Sequence, residues 1–254
     1  MGEVSARLPN ARAVAIVPPV LLTLVLGWLD RVAAGLVALR VSANAITIVS
    51  VVLAAGAGVL LSLGCFAAAA VAMVVASLGD ALDGLVARRT GTASVGGALL
   101  DASVDRYEEF FFLGGMAVYF RATPAMLVLT LLSLAGSFMV SYGSAKAEAM
   151  GVPVPPSSMR RAERAVCLCL GVILTPPVQA LAHGWGLSEW VARLPLLCAL
   201  SLIAIVGNAS AIRRLRALAR TKAAAVAVEP LPVRGHEEGP RDERMVAAPR
   251  QFGV

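Results

Sequence analysis

Charged side chains are scarce in this sequence, at 15% of residues, and aromatic ones scarcer, at 5%. A soluble domain is about 25% charged, so charge this sparse excludes an ordinary soluble domain. Histidine is limited to two residues, which leaves little imidazole for catalysis or metal binding. His183 is read as lying away from the acidic residues and His236 as lying in a polar tail, both solvated. The four cysteines, Cys65, Cys167, Cys169 and Cys198, sit in apolar runs without CxxC or Cys/His spacing. That excludes a zinc ribbon or disulfide framework and reads as small buried hydrophobes. No basic stretch is interleaved with aromatics, so the net charge of +6 implies no nucleic-acid partner. Nor does the N-terminus read as a signal peptide. Its apolar run after Arg7 and Arg12 is broken by Pro18-Pro19 and lacks a small-residue cleavage site.

What the chain has is apolar length. Hydrophobic residues make up 58% of it, with a mean hydropathy of +0.80. Apolar residues are about 45–50% of a soluble domain, so a bilayer is the natural solvent here. Spans of roughly 20 residues are expected near 44–64, 65–88, 95–120, 124–148, 161–183 and 188–212. The fold class is all-α, an integral membrane bundle of about six transmembrane helices preceded by an interfacial amphipathic helix. That first helix falls in 12–40, where Pro18, Pro19, Asp30, Arg31 and Arg40 punctuate the apolar run. The expected organisation is an N-terminal segment over 1–40, a membrane domain over 41–217 and a disordered tail over 218–254.

Basic residues orient the bundle. Arg88, Arg89, Lys146, Arg160, Arg161, Arg164, Arg213, Arg214, Arg216 and Arg220 all fall on one side if six spans alternate. The other side holds little beyond Arg121, His183 and Arg193. The positive-inside rule places the rich side and both termini in the cytoplasm. Trp28, Trp185 and Trp190 fall near span ends, as interfacial anchors do. Asn208 is polar within the last span, suited to an interhelical hydrogen bond or to substrate contact.

The acids within the spans carry the chemistry. Asp80 and Asp83 are three apart, and Asp101 and Asp105 four apart, so each pair shares one helix face. Four carboxylates on consecutive helices repel unless a cation neutralises them. Hard oxygen ligands suit Mg²⁺, Mn²⁺ or Ca²⁺, as one ion or two. Arg88 and Arg106 are too few to pair these acids together with Glu108 and Glu109. An ion pathway through a transporter or channel is the alternative use of such acids. Against it, Gly84, Ala87 and Gly97 clear space for something bulky, and Arg88 offers a phosphate fork.

The run from Asp80 to Asp105 resembles the signature of the CDP-alcohol phosphatidyltransferases, D-x2-D-G-x2-A-R-x8-G-x3-D-x3-D, at every fixed position. Ser42-Ala-Asn44-Ala-Ile-Thr47 is similar to the family's P-N-x-x-T element, with Ala43 in place of proline. The resemblance implies transfer of a phosphatidyl group from CDP-diacylglycerol to a small polar alcohol, with release of CMP, and a homodimer among membrane lipids. It implies that Asp80, Asp83 and Asp101 ligate Mg²⁺ or Mn²⁺. Asp105 would be the catalytic base and also a ligand of a second ion. Gly84, Ala87, Arg88 and Gly97 would line the CDP pocket.

The acceptor should lie across that pocket. Arg161 and Arg164 are three apart, so they face the same way on a helix, and Lys146 can join them to hold a phosphorylated acceptor. The Ser141-Tyr142 to Glu148 stretch and the Arg161-Ala-Glu163-Arg164 element resemble the phosphatidylinositol phosphate synthases within the family. That implies inositol phosphate as acceptor, with glycerol phosphate next. Ser144 stands where the resemblance leads one to expect a lysine.

Overall fold

Long apolar helices joined by short connections must run antiparallel to their neighbours, and this chain follows that rule. The computed structural model describes residues 19–153 and 158–220, so the expected tail beyond 220 lies outside the described residues. The elements are α1 (Pro19–Ala38), α2 (Ala43–Ser62), α3 (Phe66–Thr90), α4 (Val95–Tyr119), α5 (Pro124–Ala149), α6 (Arg161–Gly184), α7 (Glu189–Ala192) and α8 (Leu194–Arg220). No strand occurs among the described residues.

Local chemistry sets the helix ends. Ser42 caps α2 by accepting from the Ala45 amide, and Ser94 caps α4 by accepting from the Gly97 amide at 3.0 Å. Gly91 closes α3 in the left-handed conformation, φ 68°. Glu163 reaches back to accept from the Arg160 amide at 2.8 Å, which starts α6. The expected last span begins as the four-residue α7, then breaks at Arg193 before α8, whose second residue is Pro195. Proline lacks the amide that would continue the preceding helix.

Five helices, α2, α3, α5, α6 and α8, are long and apolar enough to cross a bilayer. The 25-residue α4 is as long but carries Asp101, Asp105, Arg106, Glu108 and Glu109. It packs against α2 and α5, and of its charges Glu108 is buried whereas Asp101 is exposed. Its contact with α2 is close enough that backbone meets backbone. A Cβ on Gly58 of α2 would lie 2.6 Å from the Phe111 carbonyl oxygen of α4, and Gly115 faces Gly58 in return. Small residues at such a crossing are what let membrane helices approach.

The core runs from Ala54, Ala57 and Leu61 through Phe66 and Met73 to Phe112, Leu113 and Met116. Polar groups inside it are bonded across helices. Ser133 Oγ donates to the Leu200 carbonyl at 2.9 Å, and Asn208 Nδ2 to the Leu132 carbonyl at 2.8 Å, which accounts for Asn208 as interhelical glue. Ile48, Val52, Val59, Val71, Leu131, Leu170 and Ile205 face outward, as lipid contact requires. The cysteines are unpaired, but Cys65 and Cys198 are exposed rather than buried as small core residues. Before the bundle, α1 lays Leu29 and Ala33 on Leu82 and Val86 of α3, and Asp30 pairs with Arg89.

Candidate active site

Antiparallel packing brings the inner end of α3 beside the start of α4, and the two acid stripes face each other there. Asp80, Asp101 and Asp105 each present a carboxylate oxygen within 4.8 Å of the others. Oxygens around one Mg²⁺ at about 2.1 Å lie about 3–4 Å apart. Asp80 Oδ1 is buried and accepts no hydrogen bond. An unpartnered buried carboxylate oxygen aimed into a cluster of hard donors fits a divalent cation, and softer metals find no ligand there.

Asp83 stands outside that trio. It is 5% exposed, and its Oδ2 accepts a 2.5 Å hydrogen bond from Thr47 Oγ1 of α2. Thr47 thus fixes the Asp83 rotamer from the neighbouring helix. Nothing in the spacing of either segment reveals that pairing, since 36 residues separate the two.

A cavity of about 830 Å³ opens beside these acids. Asp83, Gly84, Ala87, Arg88, Gly97 and Asp101 all line it, so the residues expected to hold CDP share one space. Arg40, Asn44 and Thr47 line it from the α1–α2 side. A Cβ on Gly84 would meet Arg88 Nη1 at 3.3 Å, so glycine there leaves the guanidinium room to fold over the helix.

On the opposite face of the acids lies Arg161, at the first residue of α6. Its Nη1 is 3.1 Å from Asp80 Oδ2, and its Nη2 pairs with Asp105 Oδ1 and lies 3.6 Å from Glu108 Oε2. Arg161 is the one arginine ion-paired with these aspartates among the described residues. Arg106 instead donates to the Ala102 carbonyl. Arg164, 2% exposed, grips Glu109 with two bonds, 2.9 Å from Nε and 3.3 Å from Nη2. The two arginines do share a face, as their spacing predicts, but that face is turned to acids of α4. Lys146 is exposed on the last turn of α5 and makes no ion pair among the described residues.

A buried arginine that sequence reasoning treated only as topological charge enters from α8. Arg214, 6% exposed, donates to the Val140 carbonyl at 2.9 Å and to Ser144 Oγ. Ser144 is the position where a lysine was expected, so the cation beside it comes from α8 rather than α5. Gly143 makes the approach feasible, because a Cβ there would meet Arg214 Cδ at 2.8 Å.

The arrangement has counterparts. Phosphatidylinositol phosphate synthase of Mycolicibacterium smegmatis is 31% identical over 140 residues, which cover 54% of this chain and 61% of that protein's length. The crystal structure of Mycobacterium tuberculosis phosphatidylinositol phosphate synthase with CDP-DAG bound superposes with a TM-score of 0.63 at 23% identity, covering 74% of this chain and 92% of that one. The same enzyme in complex with manganese and citrate gives 0.64 at 22% identity, covering 76% and 89%. These structures establish a shared fold. The family model described as CDP-alcohol phosphatidyltransferase matches residues 40–201, from just after α1 into α8 and across Asp80, Asp83, Asp101 and Asp105, and the chain therefore belongs to the CDP-alcohol phosphatidyltransferase family.

Proposed function

We propose that this membrane protein transfers the phosphatidyl group of CDP-diacylglycerol to a phosphorylated alcohol, inositol phosphate, and releases CMP. The observation that carries this reading is the division of the acids between two sides. Asp83 and Asp101 line the 830 Å³ cavity with Gly84, Ala87, Arg88 and Gly97, whereas Asp105 faces Arg161. A donor nucleotide on one side and an acceptor on the other would meet at the acids.

In this reading the CDP portion lies in the cavity, and Arg88 supplies charge to its phosphates. The acceptor hydroxyl oxygen forms a bond to the lipid-linked phosphorus, and the bond from that phosphorus to the bridging pyrophosphate oxygen breaks. CMP leaves with the electron pair. Asp105 takes the hydroxyl proton as the new bond forms. Asp80, Asp83 and Asp101 would hold Mg²⁺ or Mn²⁺, with Asp105 contributing to a second ion. The bound metal would neutralise pyrophosphate charge and improve the leaving group. Manganese in the Mycobacterium tuberculosis structure supports that choice of ion.

Lys146, Arg161 and Arg164 are the basic groups this reading gives to the acceptor phosphate. Arg161 would do so from beside Asp105. Arg164 supports it from behind through Glu109. The relative named as phosphatidylinositol phosphate synthase supports inositol phosphate over glycerol phosphate. The catalytic unit spans 41–217, works as a homodimer, and faces its site and both termini to the cytoplasm.

Purified protein in detergent or nanodiscs, incubated with CDP-diacylglycerol and Mn²⁺ or Mg²⁺, should release CMP with inositol phosphate and far less with glycerol phosphate, inositol or serine. CMP release with glycerol phosphate alone would replace the acceptor. No release with any alcohol, together with metal flux across proteoliposomes, would favour the ion-pathway reading instead.

A further inference from the structure

Glu108 has no part in the reaction just described, yet the structure spends a buried charge on it. It is 3% exposed, within a helix that crosses the apolar bundle. It continues the acid stripe of α4: Asp101, Asp105 and Glu108 fall at intervals of four and three, one above another. Its Oε1 accepts no hydrogen bond, and its Oε2 lies 3.6 Å from Arg161 Nη2. A cavity of about 30 Å³ adjoins it, lined by Ser77, Asp105, Glu108, Glu109, Arg161 and Arg164 among others. That is room for a water-sized group, or for a guanidinium to shift by about its own thickness.

The charges beside it pose a conflict. Arg161 pairs with Asp80 Oδ2 and Asp105 Oδ1. Asp80 and Asp105 are also two of the three residues that bring carboxylate oxygens within 4.8 Å of one another. A divalent cation and the Arg161 guanidinium therefore claim the same carboxylates. They also repel each other at short range, strongly so in an apolar surrounding. A guanidinium released there cannot stay buried without another anion. Glu108 is that anion: it already touches Arg161, it is no member of that trio, and it lies one helical turn farther along the same face.

We propose that Glu108 is a positioning residue for Arg161, taking over its guanidinium as a divalent cation takes the oxygens of Asp80 and Asp105. This rests on the functional reading above and deepens it. The same shift keeps the guanidinium beside Asp105, where an acceptor phosphate would need it, while it stops competing with the metal. Cation affinity and arginine placement are thereby coupled through one carboxylate.

The test is Mn²⁺ binding to the full-length protein in detergent, read by electron paramagnetic resonance without any substrate. Arg161→Gln removes the competitor, so Mn²⁺ should bind about tenfold more tightly than to wild type. Glu108→Gln strands the guanidinium on Asp80 and Asp105, so Mn²⁺ should bind about tenfold more weakly. The double variant should match Arg161→Gln, because without the arginine Glu108 has nothing to hold. Equal losses from Glu108→Gln in both backgrounds would show mere long-range attraction and overturn the proposal, as would wild-type affinity in Glu108→Gln. Should Glu108→Gln not fold, Glu108→Asp decides: its shorter reach should weaken Mn²⁺ binding only when Arg161 is present. A wild-type protein that binds no Mn²⁺ would instead sink the functional reading itself.

Discussion

Asp83 and Asp105 are both acids of one cluster, but they look into different spaces. Asp83 is tied to Thr47 and lines the large cavity, the side proposed for the nucleotide. Asp105 lies against Arg161 and the small cavity, on the side where an acceptor would sit. A base must reach the proton it takes before its affinity for that proton matters. Asp105→Asn keeps the shape and hydrogen-bonding reach of the side chain and removes its basicity. Turnover should fall by about 10²–10⁴-fold, measured as CMP release, while binding of CDP-diacylglycerol survives within a few-fold. A variant retaining more than a tenth of wild-type turnover would remove Asp105 from the role of base. Arg164 shows the same lesson in reverse. Its spacing from Arg161 gave it to the acceptor phosphate, and its two bonds to Glu109 show that it also braces α6 against α4.

At the scale of elements, the site exists because helices cross closely. α2 contributes Thr47, α3 contributes Asp80 and Asp83, and α4 contributes Asp101 and Asp105. Register between α2 and α4 is set farther along by Gly58 against Phe111 and Gly115. Gly58→Leu forces a side chain into backbone, and overpacking of this kind costs about 1–3 kcal/mol. The variant should unfold at lower temperature in detergent and lose CMP release, although Gly58 touches no residue of the site. An unchanged melting temperature would show that the crossing can open without cost. This crossing was legible in the sequence only as a scatter of small residues. The acid stripes were legible in full, because helical periodicity alone aligns residues three or four apart. The first five span positions were legible too, within a few residues, since hydropathy is a local sum, whereas the last, expected over 188–212, is the short α7 followed by α8 over Leu194–Arg220. Contacts across helices were not: Arg161 on Asp80, Thr47 on Asp83 and Arg214 at Ser144 each join segments at least 36 residues apart. A single sequence carries no signal for such pairs. Arg214 of α8 therefore read only as topological charge, and Arg161 of α6 as an acceptor contact without its partners Asp80 and Asp105.

For the whole molecule, the antiparallel order sorts helix ends into two sets. The end of α3, the start of α4, the end of α5, the start of α6 and the end of α8 gather at the acids, together with Arg88, Arg89, Lys146, Arg161, Arg213 and Arg216. The other set includes the α2–α3 connection with Cys65, the α4–α5 connection with Arg121, and the α6–α7 connection with His183 and Trp185. The basic excess at the acid end supports the proposed cytoplasmic orientation, because translocating many arginines is disfavoured. It also suits the proposed reaction, in which a water-soluble phosphorylated acceptor and CMP would come and go at that end. Cys65 offers a built-in reporter for this topology, being unpaired and exposed at the far end. In intact cells a membrane-impermeant maleimide should label the wild-type chain, and Cys65→Ser with Cys198→Ala should abolish the signal. Ser94→Cys, placed in a background lacking all four native cysteines, should react in inverted vesicles and stay silent in intact cells. Ser94 caps α4 and lines the large cavity proposed for the nucleotide, so CDP-diacylglycerol with Mn²⁺ should slow that reaction. Labelling of Ser94→Cys from outside intact cells would reverse the orientation and, with it, the side from which the acceptor arrives.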